Sequence, residues 1–400
     1  MLKYCIKCVT PTTRPGLSLD DAGVCSACQM ATHKFKIDWV ARKSELEGIF
    51  ARFRSKGHDY DCIVPVSGGK DSVYQTHMVK NVFGMNPLCV TFRPLSRTRR
   101  GEENLQALRN LGVDHIDFAP NPNAINNITR TSFEKFGDCS LVDHLAIYNI
   151  VPNLAARFDT PLVIWGENPF MEYGGDDSKS TMSELNGGFT RNHHILKGRE
   201  ALEWQSEGLT RKELNSLVPP DDATLEAMGY TPIFLGYYIP WDARQNVEVA
   251  HRYGFRSRER GPIMGLYDYA DLDCMNIVIH HYFKWLKFGF NRVTDHASNE
   301  IRKGRLTRDE AIKLVRASDG MKPPREYITA FCRQIQITER DFWEIAEQYR
   351  NREIWAKNEQ GEWYLDGWIG GDRVPDRFPH TQLADFEQPL YADLKSADTV

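Results

Sequence analysis

The sequence predicts an α/β protein: a doubly wound parallel sheet with a small cysteine-rich knuckle at its N-terminus and a helical C-terminal part. Three observations lead to this prediction. Two Cys-x2-Cys pairs stand within the first 28 residues. Short apolar segments then alternate with amphipathic segments up to about residue 170, which is the pattern of a parallel sheet. Beyond residue 275, apolar residues recur at helical spacing.

The N-terminal knuckle is predicted from cysteine spacing. Cys5, Cys8, Cys25 and Cys28 form a Cys-x2-Cys-x16-Cys-x2-Cys pattern, which is typical of a tetrahedral zinc site. Four thiolates close such a site, so its role is structural, and the metal holds a segment that has almost no core of its own. Disulfides and an iron–sulfur cluster are the alternatives. The other five cysteines are scattered and suit small buried positions.

A glycine turn separates the first strand from the first helix of the sheet region. Residues 62–66 are mostly apolar and fit a short buried strand. Residues 73–83 carry apolar side chains at helical spacing, and Gly84 supplies a helix stop. Between them stands Ser-Gly-Gly-Lys-Asp-Ser, at residues 67–72. The motif therefore lies at a strand-to-helix turn.

This turn has the chemistry of a phosphate cradle. Glycines let backbone N–H groups approach an anion closely, and a helix start adds free N–H donors and a partial positive charge. Ser67 and Ser72 can donate hydrogen bonds, Lys70 adds a positive charge, and Asp71 can hold a Mg²⁺ that bridges phosphates. No stretch matches the common G-x-x-x-x-G-K-[ST] nucleotide loop. An ordinary glycine-rich turn is the alternative.

The rest of the sheet region continues the alternation. Strands are predicted at residues 86–94, 114–120 and 160–169, and helices at 101–112 and 140–158. Pro152 is expected to break or kink the second helix. Gly166 and Glu167 end the last strand, where Glu167 can orient a metal, a nucleotide or an acceptor. The alternative is a polar loop.

The C-terminal part is predicted to be largely helical. One or two strands are expected within residues 230–242 and a buried helix over 275–290. Thr307, followed by Glu310, predicts a capping box at the start of a further helix. The charged residues between these elements fit a helix–turn–helix.

Composition excludes several classes of protein. The chain is 41% hydrophobic and 11% aromatic, enough for a sizeable core. Its net charge of -4 does not indicate a polyanion-binding protein. No run of 18 apolar residues exists, and the first residues lack a signal peptide's apolar stretch. We expect a cytoplasmic protein, because the cysteines do not resemble a secreted disulfide framework.

Ser67 to Ser72 resembles the SGGxDS signature of the PP-loop ATP pyrophosphatases, relatives of the adenine nucleotide α-hydrolases. Those enzymes cleave ATP between its α and β phosphates and adenylate a carbonyl oxygen, and a nitrogen or sulfur nucleophile then displaces AMP. The resemblance implies ATP and Mg²⁺ as cofactors, with ATP over the carboxyl ends of the strands.

The resemblance also implies roles for individual residues. ATP binding is expected from Val66, Ser67, Gly68, Gly69, Lys70, Asp71, Ser72, Thr91 and Gly166. Catalytic roles are expected for Asp71, Lys70, Glu167 and Lys303, with Asp71 also holding Mg²⁺. Lys303 or Arg305 is expected to reach the leaving pyrophosphate or the sugar nucleotide; a charged helix–turn–helix with no such role is the alternative.

A more specific resemblance rests on the order of five segments. The cysteine knuckle, "VPVSGGKDS", "WGENP", "WDARQN" and "FGFNRVTDHASNEIRKGRLTRDEA" resemble the N-acetyl sugar amidotransferases of bacterial surface-polysaccharide (O-antigen) biosynthesis. The tRNA-modifying thiolases are the alternative. They usually carry a further cysteine pair in the catalytic domain, whereas the corresponding region here has Cys139 alone, and they tend to be basic.

The second resemblance implies an amidine-forming reaction. A nucleotide-linked acetamido sugar, expected to be a UDP sugar, offers its amide oxygen to ATP, and ammonia then converts the acetamido group to an acetamidino group. No glutaminase segment is visible, and residue 2 is Leu rather than a nucleophilic cysteine. The family pattern implies separate glutaminase and cyclase-like barrel subunits as the ammonia source. We expect no nucleic acid partner and no membrane insertion.

Five segments are predicted along the chain. They are the zinc knuckle at 1–35, the PP-loop ATP-binding core at 55–170, a loop-rich insertion at 171–265 that forms an acceptor site or lid, a helical segment at 266–320 that completes the catalytic domain, and a C-terminal extension at 321–400.

Overall fold

A computed structural model describes residues 2–54, 60–174, 183–185, 196, 198–371 and 378–382. The cysteine knuckle ends in helix α1 (Ser26–Lys34), which carries Cys28, and helix α2 (Trp39–Phe53) follows it. The sheet region follows. In chain order it contains β1 (Cys62–Pro65), α3 (Lys70–His77), β2 (Pro87–Phe92), α4 (Arg99–Leu108), β3 (Asp114–Phe118), α5 (Pro122–Phe136), α6 (Leu141–Arg157), β4 (Leu162–Trp165), α7 (Pro169–Tyr173), α8 (Asp222–Ala227), β5 (Thr231–Phe234), α9 (Leu235–Tyr238) and α10 (Ala243–Arg252).

The five strands pair in parallel, in the order β3-β2-β1-β4-β5. Successive strands add outward from β1 on one side and from β4 on the other. The strand order therefore reverses between β1 and β4, and in such sheets ligands bind at the carboxyl ends beside that point. The predicted doubly wound parallel sheet is confirmed.

Alternating side chains of the strands supply two cores, one on each face of the sheet. In β1, Cys62 and Val64 pack with residues of α2, α3 and α10 on one face. Ile63, between them, packs with residues of α5 and α6 on the other face. This happens because successive Cβ atoms of a strand point to opposite faces. A sheet with helices on both faces holds the ends of β1 and β4 rigidly.

Three segments correct or refine the sequence-based expectation. α6 runs through Pro152, which is buried within it, because the apolar face on both sides of the proline packs in the core. α5 was not predicted, although Asn121 caps it, Pro122 opens it and Gly137 ends it at φ 56°. The segment 230–242 gives one strand, β5, followed by a single helical turn. The sheet therefore continues beyond residue 170, the predicted boundary of the core.

The C-terminal part packs five helices and a small hairpin. They are α11 (Asn276–Phe288), α12 (Arg292–Arg302), α13 (Arg308–Ser318), α14 (Arg325–Ile335), α15 (Glu339–Gln348), β6 (Trp355–Lys357) and β7 (Trp363–Leu365). The predicted capping box at Thr307 and Glu310 is present. Phe133 of α5 packs against Phe283, Phe331 and Phe342, so α5 joins the sheet to these helices. Among the described helices, none has the length and apolarity needed to cross a bilayer.

Candidate functional site

The turn between β1 and α3, residues 67–72, is shaped by glycine. Gly68 has a φ of 80°, and a Cβ added there would lie 2.7 Å from the backbone nitrogen of Leu105 in α4. Only glycine fits this position without strain. Ser72 Oγ donates to the carbonyl of Gly69 at 2.9 Å and lies 3.4 Å from the backbone nitrogen of Ser67, which donates to it. We call residues 67–72 the cradle.

The first turn of α3 presents Lys70 and Asp71 at the end of the cradle. Lys70 Nζ lies 2.5 Å from Asp71 Oδ2. On the other oxygen, the side-chain amide of Asn246 donates to Asp71 Oδ1 at 2.8 Å. Despite these two contacts, the Asp71 side chain is 37% exposed. A carboxylate exposed at a helix N-terminus, among free N–H donors, is suited to hold a Mg²⁺ that carries phosphate oxygens.

A cavity of about 150 Å³ opens on the cradle. Its other walls are the start of α4, at Gly101 and Asn104, the segment 269–273, and Arg292. The segment 269–273 lies tightly on α4, because a Cβ on Gly101 would be 2.6 Å from Asp273 Cα. The cavity therefore joins the sheet region to the C-terminal helices.

Arg292 and Asp271 form an ion pair in this wall. Arg292 donates to the Asp271 carboxylate from Nε at 2.9 Å and from Nη2 at 3.2 Å. Burial opposes ionisation of Asp271, but the charge of Arg292 and the neighbouring His281 hold its pKa well below its usual range. Asp271 has a φ of 57°, a strained value that the ion pair helps to maintain. The guanidinium is thus fixed at the cavity wall.

Glu167 follows β4 at the carboxyl end of the sheet. Burial, the charge of Asp71 and the charge of Glu172 raise its pKa to about 7, against smaller opposing effects of Lys70 and Arg292. Glu167 in turn is the first cause of the raised pKa of Tyr173. A carboxyl with a pKa near 7 can take up and release a proton at neutral pH.

The other predicted ATP-binding residues lie at the strand ends but do not line this cavity. Thr91, at the end of β2, donates its hydroxyl to the carbonyl of Val66 at 2.7 Å. Gly166 is needed for packing, because a Cβ there would lie 2.9 Å from Gln75 Oε1. The carbonyl of Gly166 also accepts from Gly236 N at 2.9 Å. Their assignment to ATP remains a prediction.

Lys303 and Arg305 converge on Asp242, the residue that caps α10. Lys303 Nζ donates to Asp242 Oδ2 at 2.9 Å and to the carbonyl of Trp241 at 2.8 Å. Arg305 donates to the same carboxylate oxygen at 2.7 Å. Asp242 accepts from Arg244 N at 2.9 Å. The structure thus places both cations at the start of the helix that carries Asn246, and a phosphate-binding role for Lys303 remains a prediction.

The four cysteines of the knuckle come together. Their Sγ atoms all lie within 4.8 Å of one another and are buried. Cys5 and Cys28 are 3.9 Å apart and Cys8 and Cys25 are 3.7 Å apart. A tetrahedron of sulfurs about 2.3 Å from a central ion has edges of about 3.8 Å. The thiols therefore fit a single tetrahedral metal ion, and none of the described cysteines forms a disulfide.

The knuckle lies against the elements that carry Glu167 and Arg292. Arg14 pairs with Asp295 of α12, and Lys34 of α1 pairs with Glu172 of α7. A Cβ on Gly174, just after α7, would be 2.5 Å from Ala27 N. The four-cysteine cluster thus lies beside the candidate site.

Sequence reasoning assigned no role to Asn246, Asp271 or Arg292. Asn246 stands in "WDARQN" and Arg292 in "FGFNRVTDHASNEIRKGRLTRDEA", two segments noted above only for the resemblance. Those segments were the available signal. Their contact with the cradle depends on packing between distant parts of the chain.

Comparison with known sequences finds a family match in the C-terminal part. Residues 252–367 match the family model described as the C-terminal domain of LPS biosynthesis protein WbpG-like. The chain is also 34% identical over 87 residues to the uncharacterized protein MJ1599 of Methanocaldococcus jannaschii, a stretch that covers 22% of this chain and 31% of that protein. The chain thus spans about a third of the length of this curated relative.

Solved structures that resemble the chain do so only weakly. NMN synthetase from Francisella tularensis has a TM-score of 0.34 at 12% identity and covers 70% of this chain and 92% of its own. NH3-dependent NAD synthetase from Campylobacter jejuni has a TM-score of 0.28 at 13% identity, and the similarity covers 48% of this chain and 93% of that protein. The U34-tRNA thiolase NcsA from Methanococcus maripaludis has a TM-score of 0.30 at 11% identity, and the similarity covers 76% of this chain and 87% of that protein. Similarities at this level support no argument about function.

The family match agrees with the second resemblance noted from the sequence. It includes Asp271 and Arg292 of the cavity wall, together with Lys303 and Arg305. The predicted relation to surface-polysaccharide biosynthesis is confirmed for this part of the chain. The match extends over 116 of the 400 residues, so the similarity to the WbpG-like C-terminal domain of LPS biosynthesis proteins is established for residues 252–367 alone.

Proposed function

We propose that the chain is an ATP-dependent amidotransferase that converts the acetamido group of a nucleotide-linked sugar, a UDP sugar, into an acetamidino group. The observation that carries the proposal is the cradle, which presents Asp71 and Lys70 to a cavity whose far wall belongs to a WbpG-like domain. ATP is the co-substrate, and AMP and pyrophosphate are the products.

The first step is adenylation of the amide oxygen. That oxygen attacks the α-phosphorus of ATP, the bond to the β-phosphate oxygen breaks, and pyrophosphate leaves. The N–H donors at the start of α3 and the ammonium of Lys70 stabilise the charge that grows on the leaving group. Adenylation is needed because an amide oxygen is a poor leaving group. Mg²⁺ bound at Asp71 supplies further charge neutralisation.

The second step is attack by ammonia. Its nitrogen bonds to the activated carbon, AMP leaves with the former amide oxygen, and one proton of the nitrogen must be removed. Glu167 accepts this proton, since its pKa of about 7 leaves a substantial ionised fraction at neutral pH. The ammonium of Lys303 would leave the carboxylate of Asp242 and bind the departing pyrophosphate. The site must exclude water, which would hydrolyse the adenylate.

Two further parts belong to the proposal. The four-thiol site holds a structural zinc ion, for which its spacing is suited. Ammonia comes from separate glutaminase and cyclase-like barrel subunits, an expectation from the family resemblance. We therefore expect the purified chain to use ammonium salts at raised pH but not glutamine.

Pyrophosphate release tests the proposal. The purified chain is given Mg²⁺, ATP and ammonium, with UDP-linked acetamido sugars in one arm and bulk tRNA with a sulfur donor in the other. We expect release with a sugar and a product in which NH replaces O. Asp71→Ala should lower this rate at least ~100-fold. Release only in the tRNA arm would favour the thiolase alternative, and release in neither arm would contradict both.

A further inference from the structure

The buried amide of Asn246 lies directly behind Asp71. Asn246 belongs to α10, which packs along α3, and its side chain has 0% exposure. Its Nδ2 donates to Asp71 Oδ1 at 2.8 Å, while Lys70 approaches Oδ2. Both oxygens of the carboxylate therefore have a donor before any ligand arrives. One donor is neutral and buried, and the other is a charged side chain at the cavity.

The amide is held in place at a cost. Asn246 Oδ1 is buried and has no hydrogen-bond partner among the described residues. An unpaired buried acceptor is unfavourable, so an apolar side chain would suit packing alone better. The Nδ2 contact is what offsets this cost. Asn246 is thus placed for its effect on Asp71.

The amide is anchored through the start of its helix. Asp242 caps α10 by accepting from Arg244 N, and Lys303 and Arg305 hold the Asp242 carboxylate. These contacts connect α12 and the turn after it to the cradle. The position of the Asp71 carboxylate thus depends on α10 as well as on α3.

We propose that Asn246 is the positioning residue that fixes the Asp71 carboxylate for Mg²⁺·ATP binding. The amide occupies one lone pair of Oδ1 and sets the rotation of the carboxylate, so the remaining lone pairs are available to a cation. Asparagine suits this task because it donates at any pH and adds no charge. The inference rests on the nucleotide-binding part of the proposed function but not on the acceptor.

Three variants separate positioning from packing. Asn246→Leu removes the donor and keeps the volume. Asn246→Asp places a second carboxylate against Asp71, which repels it when ionised but can donate a hydrogen bond when protonated. Asn149→Leu is the matched control, because Asn149 lies on α6 and its amide donates at 2.7 Å to the carbonyl of Leu217, away from the cradle.

The test is a Mg²⁺ titration of the thermal shift that ATP produces, with no sugar present. We expect Asn246→Leu to raise the Mg²⁺ midpoint at least tenfold, with the shift by metal-free ATP unchanged, and Asn149→Leu to keep the parent midpoint. For Asn246→Asp the midpoint should fall back towards the parent value as pH decreases from 8 to 5.5. That pH signature decides the matter even if Asn246→Leu does not fold.

A parent-like Mg²⁺ midpoint in Asn246→Leu, or in Asn246→Asp at pH 8, would overturn the inference. So would a parent chain whose ATP shift does not depend on Mg²⁺. If the midpoints differ as expected while no sugar is turned over, the inference stands and the amidotransferase proposal falls. The two outcomes are therefore distinguishable.

Discussion

The cradle and the cysteine knuckle solve the problem of holding a ligand in opposite ways. The cradle uses six consecutive residues, and its shape comes from one glycine at positive φ between a buried strand and a helix. The knuckle brings together two cysteine pairs from different turns of the chain. Among the described residues, the buried cluster around the four cysteines adds Val24 and Ala27, with Leu17, Leu19 and Ile301 partly buried against it.

The difference teaches where the stability of each site resides. The cradle is held by the sheet and by α4, so it exists whether or not a ligand is present. The knuckle has little apolar surface of its own, so we expect a metal ion bound by the four cysteines, together with the contacts of Arg14 and Lys34, to hold it. Removing the metal should therefore affect one site strongly and the other indirectly.

Metal loss should give the largest effect. Cys8→Ser is expected to abolish metal binding, which contributes on the order of 10 kcal/mol in small zinc modules. Even a third of that lowers the Tm of a chain of this size by roughly 4 °C. Metal analysis and calorimetry measure the loss. Hydrogen exchange should quicken in α7, which contacts α1, and remain slow in β1 and β2.

The matched control for this change is Cys332→Ser. Cys332 is also buried but lies in the core of the C-terminal helices. We expect it to retain the metal and to leave exchange in α7 unchanged. A Cys8→Ser chain with the parent Tm would show that the knuckle is not metal-supported.

Gly68→Ala tests the cradle, the other of the two sites compared, and should destabilise it. The new Cβ would collide with the backbone of Leu105, and alanine would have to adopt a positive φ. Together these two effects should lower the free energy of unfolding by about 3 kcal/mol or more. Gly304→Ala has a similar φ, 69°, but open space around it, so it should cost only about 1–2 kcal/mol. Urea unfolding of both variants measures the difference. Equal losses would mean that the close contact is unimportant.

Lys303→Met and Arg305→Met separate a catalytic role from support of Asp242. Both remove one cation from Asp242, which should lower the free energy of unfolding by ~1 kcal/mol in each case. Arg305→Met should cost more, because Arg305 also donates two hydrogen bonds to the buried carboxylate of Glu300. If Lys303 also serves the leaving pyrophosphate, only Lys303→Met should reduce the rate by ~100-fold. Steady-state rates at saturating ATP decide this. Similar rate losses in both variants would assign Lys303 to Asp242 alone.

Glu167→Gln should change the stability by an amount that depends on pH. The pKa of Glu167 is raised from 4.5 to about 7, so its ionisation opposes folding, and stability is lost as pH rises through that window. The variant lacks this loss. At pH 8 it should be more stable than the parent by about 1–2 kcal/mol, allowing for partial exposure.

The same two proteins at pH 4 provide the reference. There Glu167 is neutral in the folded chain and mostly neutral in the unfolded chain, so the stability difference should be small. Denaturant unfolding at pH 8 and at pH 4 measures the difference. A stability difference that does not change with pH would show that Glu167 does not carry the raised pKa. The rate of the variant should fall at pH 8, where Glu167 is ionised in the parent.

Local patterns made the fold and the cradle predictable, whereas distant contacts were not. The strands of the sheet follow from short apolar runs, and residues 67–72 follow from residue type at one turn. α5 was missed although the sequence carries its signals, because Asn121 and Pro122 mark its start and its buried residues recur at helical spacing up to Phe133. Asn246 was missed because its contact with Asp71 spans 175 residues, and no local pattern encodes it.

The position of β5 at the edge of the sheet has a consequence for how the protein is made. Residues 231–234 must leave the ribosome before β4 gains its second neighbour. A nascent chain that ends near residue 170 exposes the unpaired edge of β4, where strands of other chains can add. Shortened versions of this protein should therefore extend past α10 to stay monodisperse.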